Sequence, residues 1–158
     1  TNIFSGRRHS FHRKRKTQGI FLTPIGLYRN SPENMSYRAL GTQKEKGWRR
    51  LGAKDSRVWD FGWQETLKNR EIHSIRLLMH ATDPSFGEKR LGKTDSKGCI
   101  RISGKLNSFL DHYGILDREY ETHPKVHKFW VLKKNRQPSA FAGKFLIVED
   151  SSSSGSGE

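Results

Sequence analysis

"SKGCIRISGKLNSFLDHYGIL", residues 96–116, joins two kinds of sequence within one short stretch. Its second half has helical spacing: Leu106, Phe109, Leu110 and Tyr113 fall at i, i+3, i+4 and i+7. Ser103 stands where an N-cap belongs, and Gly114 suits the left-handed stop of a C-terminus. Its first half holds the only cysteine of the chain, Cys99, between Gly98 and an Ile-Arg pair. The pattern predicts one main helix within 103–116, from the Ser103 cap to the Gly114 stop, with the cysteine a few residues before it and a turn-rich loop upstream.

Outside this stretch the signal is mostly short strands separated by turn residues. "IHSIRLLMH" (72–80) reads as an Ile- and Leu-rich strand ending at His80. "HKFWVLKK" (127–134) and "GKFLIVE" (143–149) read as two more. "GIFLTPIGLYR" (19–29) offers two apolar runs about a bend, where Pro24 fixes φ and Gly26 permits a tight turn. Residues 30–70, with Trp48, Trp59 and Trp63 among many charges, fit strands with long loops or an insertion over a site. Those tryptophans serve either as core filler or as substrate lining. The expected fold class is mostly β.

The chain has 158 residues, enough for one domain with a real core. We expect that domain over 18–150, between a basic, flexible arm at 1–17 and a low-complexity tail or appended remnant at 151–158. One cysteine excludes an internal disulfide framework and a zinc site of several thiolates. Formal net charge is +14, and only six of the 30 Lys and Arg lie in "RRHSFHRKRK" (7–16), so most of the excess belongs to the rest of the chain. Such a surface favours polyanions: nucleic acid, anionic lipid or an acidic envelope polymer. No stretch approaches the roughly 18 apolar residues of a membrane span, so none is expected. No apolar signal-peptide core precedes the domain, although a chain opening at Thr1 leaves its compartment open.

Cysteine attack on a carbonyl needs a thiolate, a base or positive field to generate it, and donors for the oxyanion. Lys97 and Arg101 add positive potential, the amides of Gly98 and Cys99 can converge on one oxygen, and His80 at a strand end is the best-placed base. Asp95, Ser96 or a backbone carbonyl would orient the ring. The bland alternative is an inert packed thiol and a structural histidine. Metal ligation by His73, His80 and Cys99 is disfavoured, because an odd separation puts the two histidines on opposite faces of a strand. His123 and His127 flank Pro124 in what reads as a surface turn.

Taken together, "MHATDPSFGEKRLGKTDSKGCIRIS" (79–103) resembles the active-site segment of the L,D-transpeptidase (YkuD-type) catalytic domain. His80, Ser96, Gly98, Cys99 and Arg101 match that family's strand-end His and Ser-x-Gly-Cys-x-Arg pattern in order and spacing. "TPIG" (23–26) resembles the family's Thr-Pro-x-Gly turn, and the likeness spans about residues 18–149. Ala81 stands where the family often has Gly, and Lys97 where many members have a second His.

The resemblance implies a mixed-sheet β-sandwich and acyl transfer on peptidoglycan stem peptides, in the periplasm or cell envelope. Cys99 is then the nucleophile and His80 its base, with Ser96, Gly98 and Arg101 in support and Lys97 and Ala81 as substrate contacts. The acceptor is an amine of another stem or of a cell-wall protein, and neither a metal nor an organic cofactor is required. A hydrolase sharing the same acyl-enzyme is the near alternative. A basic nucleic-acid-binding protein is the distant one, disfavoured because no recognised nucleic-acid motif accompanies the arm.

Overall fold

The computed structural model describes residues 22–43, 49–93 and 97–150. The expected arm, the apolar run at 19–21, Trp48, Asp95, Ser96 and the tail all lie outside the described residues. The strands are β1 (Gly26–Arg29), β2 (Tyr37–Arg38), β3 (Arg57–Lys68), β4 (Glu71–Ala81), β5 (Ile100–Ile102) and β6 (Phe145–Val148). The helices are α1 (Gly104–His112) and the short α2 (Arg118–Glu121). One sheet pairs β1 with β6, and the other runs β2-β3-β4-β5, antiparallel except for the parallel β4–β5 pair. The protein is therefore mostly β with mixed pairing, as expected.

The hairpin of β3 and β4 organises the larger sheet. Asn69 and Arg70 turn the chain in two residues with φ of 51° and 70°, the double left-handed geometry that matches strand twist. Along β4 the odd positions Ile75, Leu77, Met79 and Ala81 are buried. They define one face, and Trp59 of β3 lies opposite Met79 on it. Tyr28 of β1 and, half-buried, Leu146 and Val148 of β6 pack into the same cluster as Trp59, Phe61, Leu77 and Met79, so one apolar core draws on both sheets. Burying Trp59 and Leu77 completely contributes roughly 2–3 kcal/mol each.

Helix α1 is where expected, and its ends follow the predicted chemistry. The Ser103 hydroxyl accepts from the Leu106 N–H at 3.1 Å, and Gly114 adopts φ 54° one residue past the C-cap Tyr113. Its packing differs from the apolar stripe in the sequence. Phe109 is 53% exposed, with Leu106 and Tyr113 also exposed, whereas Asn107 and Asp111 are buried.

Leu110 alone of the stripe packs against the core, and the rest of the inner face docks through hydrogen bonds because the segment facing it carries buried arginines. The Asn107 side chain accepts from the Arg57 N–H at 3.0 Å and donates to the Arg57 carbonyl at 2.8 Å. Asp111 accepts from both terminal nitrogens of Arg38 at 2.8 and 3.0 Å. Arg57 also reaches Asp111 at 3.4 Å and pairs with the fully buried Asp117 at 2.9 and 3.2 Å.

The strand expected at 127–134 is not formed. Val126–Lys128 is a 3-10 turn, and successive three-residue hydrogen bonds continue through Leu132. Phe129 packs edge-on against Tyr120 and His123, each with centroids 5.0 Å away, and the Val131 carbonyl is taken by Arg38. Local turns and one arginine thus satisfy a backbone that has no strand partner. By contrast, 143–149 does supply a strand, β6, which pairs with β1 from Gly26↔Val148 to Arg29↔Phe145. No helix among the described residues is long and apolar enough to cross a membrane.

Candidate active site

The parallel pairing of β4 and β5 sets the site. Met79 lies opposite Ile100, and both pack on the core, so their neighbours His80 and Arg101, themselves paired, occupy the opposite sheet face. The row continues through Val58 of β3 to Tyr37 of β2. Cys99 immediately precedes β5, and its sulfur takes a backbone hydrogen bond from Leu78. Leu78 is two residues from His80 and shares its face, so Cys99 sits at the start of the strand beside the one that carries His80.

His80 is 5% exposed, and its Nδ1 lies 2.6 Å from the carbonyl of Ala81. A carbonyl only accepts, so Nδ1 carries the proton and Nε2 is left as the basic nitrogen. Burial pushes the imidazole pKa below its ordinary value; the Ala81 carbonyl opposes this, and the Arg101 charge adds to it. Burial likewise raises the half-buried Cys99 thiol, with the Leu78 hydrogen bond pulling the other way. Burial outweighs the positive potential expected from Lys97 and Arg101. Both shifts favour the uncharged forms, a protonated thiol and a neutral imidazole.

Gly98 is buried with φ 93°, a left-handed conformation that strains any residue with a Cβ. Its carbonyl accepts from the Thr23 hydroxyl at 3.0 Å, so the segment leading into β1 fastens the cysteine loop from 75 positions away. Arg101 braces a neighbouring loop: one terminal nitrogen donates to the carbonyls of Lys93 at 2.9 Å and Arg90 at 3.4 Å. Glu88, from the 3-10 turn Glu88–Arg90, accepts the Gly104 N–H at 2.8 Å and ties this loop to the start of α1. The fully buried Asp83 orders the chain after His80, accepting N–H groups of Ser85, Phe86 and Arg49 at 2.8, 3.0 and 2.8 Å.

Of the residues singled out from sequence, His80, Gly98, Cys99 and Arg101 lie together at the β4–β5 edge. Lys97 is exposed beside them, whereas Ser96 and Asp95 lie outside the described residues. Ala81 is 1% exposed, so its side chain is not a substrate contact; its carbonyl orients His80. His73 lies on the opposite face of β4 from His80, 3.7 Å from Glu71. His123 accepts the Lys125 N–H at 3.0 Å within a turn. No group of three or more His, Cys, Asp or Glu side chains gathers among the described residues.

Sequence reasoning missed Tyr37, whose only signal is its register with His80. Burial raises its phenol pKa first, then the charges of Asp60 and Cys99, with Arg76 opposing. The phenol thus lies within electrostatic reach of the sulfur. No family model matches the chain, and no curated protein matches it.

Proposed function

We propose that the chain is a cysteine acyltransferase acting on peptidoglycan stem peptides, an L,D-transpeptidase with the sandwich fold of that family. The observation that carries this reading is a half-buried thiol just before β5, next to the strand that ends in a buried imidazole whose Nδ1 is tied to a carbonyl. That arrangement suits a base acting through Nε2, and the His80 to Arg101 sequence pattern supplies the reaction class.

In this mechanism His80 Nε2 takes the Cys99 proton as Sγ attacks the carbonyl joining the third stem residue to the terminal D-Ala. The N–H groups of Gly98 and Cys99 receive the oxyanion. Collapse of the tetrahedral adduct breaks the C–N bond, His80 returns its proton to the leaving amine, and D-Ala departs, leaving a thioester. An acceptor amine from another stem or a cell-wall protein then attacks the thioester, losing a proton to His80. Expulsion of sulfur forms the new amide, and the thiol is restored. Arg101 acts by holding the 88–93 loop, and the basic surface draws acidic wall polymers to the protein in a salt-dependent manner. The reading places the protein in the periplasm or cell envelope. If water replaces the amine, the same thioester yields a carboxypeptidase.

Incubation with tetrapeptide muropeptides, followed by mass spectrometry of protein and products, tests this. The expected result is a Cys99 adduct with loss of D-Ala and formation of cross-linked dimers; shortened monomers alone assign hydrolysis. For His80→Ala we expect acylation to fall by about 10²–10⁴-fold, the usual range for a lost general base. Full activity in Cys99→Ala removes the nucleophile assignment.

A further inference from the structure

The sheet face that carries Cys99 and His80 continues along β3 and β4 into a second polar group. The β3–β4 register slips between Asp60 and Trp63, where Phe61 and Gly62 together oppose Leu77. Gly62 takes φ 80° there and donates its N–H to Asp60 Oδ1 at 2.8 Å. This bulge puts Trp63 opposite Arg76 on the open face, where a bulge commonly re-aims a side chain. Trp63 is 64% exposed, and the Arg76 guanidinium lies 5.9 Å from its ring centroid.

Arg76 is held from two sides and yet open. Its Nε donates to the buried Asp60 carboxylate at 2.7 Å and one terminal nitrogen donates to the Asn34 carbonyl at 3.2 Å. Its side chain keeps 42% of its surface in water. A guanidinium has five N–H donors, so this arrangement fixes its position and leaves donors for an anion. A lone structural ion pair would not need an exposed indole beneath it.

We infer that Arg76, positioned by Asp60 and backed by Trp63, seats a carboxylate of the donor peptide, on the part that stays bound as the thioester. This rests on the acyl-transfer reading above. Spacing selects which carboxylate. Asp60 lies opposite Leu78, whose backbone bonds the Cys99 sulfur, so the guanidinium is drawn to a point two strands across from the nucleophile. Two strand spacings are about 10 Å. The terminal carboxylate of the leaving residue sits within one residue, about 3.6 Å, of the scissile carbonyl, which is too short. An internal or side-chain carboxylate of the acyl part spans the gap, with its aliphatic stem over Trp63.

The test measures Cys99 acylation by intact-protein mass spectrometry with three tetrapeptides: unmodified, amidated at internal carboxylates, and amidated at the terminus. A charge-assisted bidentate contact predicts that internal amidation raises KM about 10- to 100-fold in the wild type with kcat little changed. In Arg76→Met the unmodified peptide shows that same rise and internal amidation adds nothing. Arg76→Lys keeps part of the discrimination, and terminal amidation affects wild type and variants equally. Sensitivity to terminal amidation that vanishes in Arg76→Met would overturn the choice of carboxylate. Wild-type acylation indifferent to internal amidation overturns the inference while leaving the acyl-transfer reading intact. No Cys99 adduct with any peptide overturns both. The wild-type comparison needs no variant, so it stands even if Arg76→Met does not fold.

Discussion

Replacing Asp111 by Ala and, separately, Phe109 by Ala puts the polar docking of α1 to a direct test. Asp111 accepts two short hydrogen bonds from Arg38 and a longer one from Arg57, whose side chain is fully buried. Its removal leaves two buried cations short of a counter-charge, and breaking one partner of a buried pair costs about 3–5 kcal/mol. The better helix propensity of Ala returns only about 0.5 kcal/mol of that. Phe109 is half in water already, so its truncation loses roughly half of a full burial, about 1 kcal/mol. For a domain of this size each kcal/mol moves Tm by about 2–4 °C. Asp111→Ala should therefore lower Tm by about 5–18 °C, and Phe109→Ala by about 2–4 °C. Urea unfolding at neutral pH, with m-values compared to confirm a common two-state transition, reads both. If Phe109→Ala proves the more damaging, α1 packs by its apolar stripe and the buried ionic seam is not what holds it.

Other consequences are as direct. Burial holds Cys99 as a thiol, so iodoacetamide should label it slowly at pH 7 and accelerate only above the ordinary thiol range; labelling already maximal at neutral pH contradicts this. His80 has a lowered pKa in the folded protein, so the unfolded chain binds the proton first, and stability falls as pH drops below about 6.5. Comparing urea midpoints with His80→Gln between pH 8 and 5 isolates this slope, and parallel profiles refute it. Gly98→Ala should cost about 1–3 kcal/mol of strain at φ 93° and, under the proposed acyl transfer, lower acylation by at least about tenfold by shifting the amides assigned to the oxyanion; an unchanged rate argues against that assignment.

The elements that flank the candidate site were the most legible, because their signals are local. Ser103 and Gly114 mark helix ends by their own side-chain and backbone chemistry, and β4 announces itself through its aliphatic residues. The long strand β3 did not, because Arg57 and Asp60 interrupt its apolar pattern and the bulge at Phe61–Gly62 breaks its alternation. Nor did the inward face of α1, since Asn107 and Asp111 are buried only because Arg38 and Arg57 wait opposite them. The stretch 127–134 misled for the converse reason. Its aromatic and aliphatic residues suit a strand, but Phe129 finds rings of α2 and the following turn instead of a neighbouring strand. Tyr37 and Arg76 join the site through register, which only the paired strands reveal.

The bond from the Thr23 hydroxyl to the Gly98 carbonyl gives the cysteine loop a history as well as a shape. It closes a long stretch of chain, as does the parallel pairing of β4 with β5, whereas the β3–β4 hairpin closes over two residues. Loop-closure entropy makes such distant contacts late ones in folding. During refolding the hairpin should form first, with the thiol still exposed and free to be alkylated, a sequence that pulse labelling can follow. Labelling of Cys99 should then slow once Thr23 and β5 have met their distant partners. The thiol's accessibility to a small alkylating reagent thus becomes a clock for the last step of folding, the one that joins the two ends of the domain.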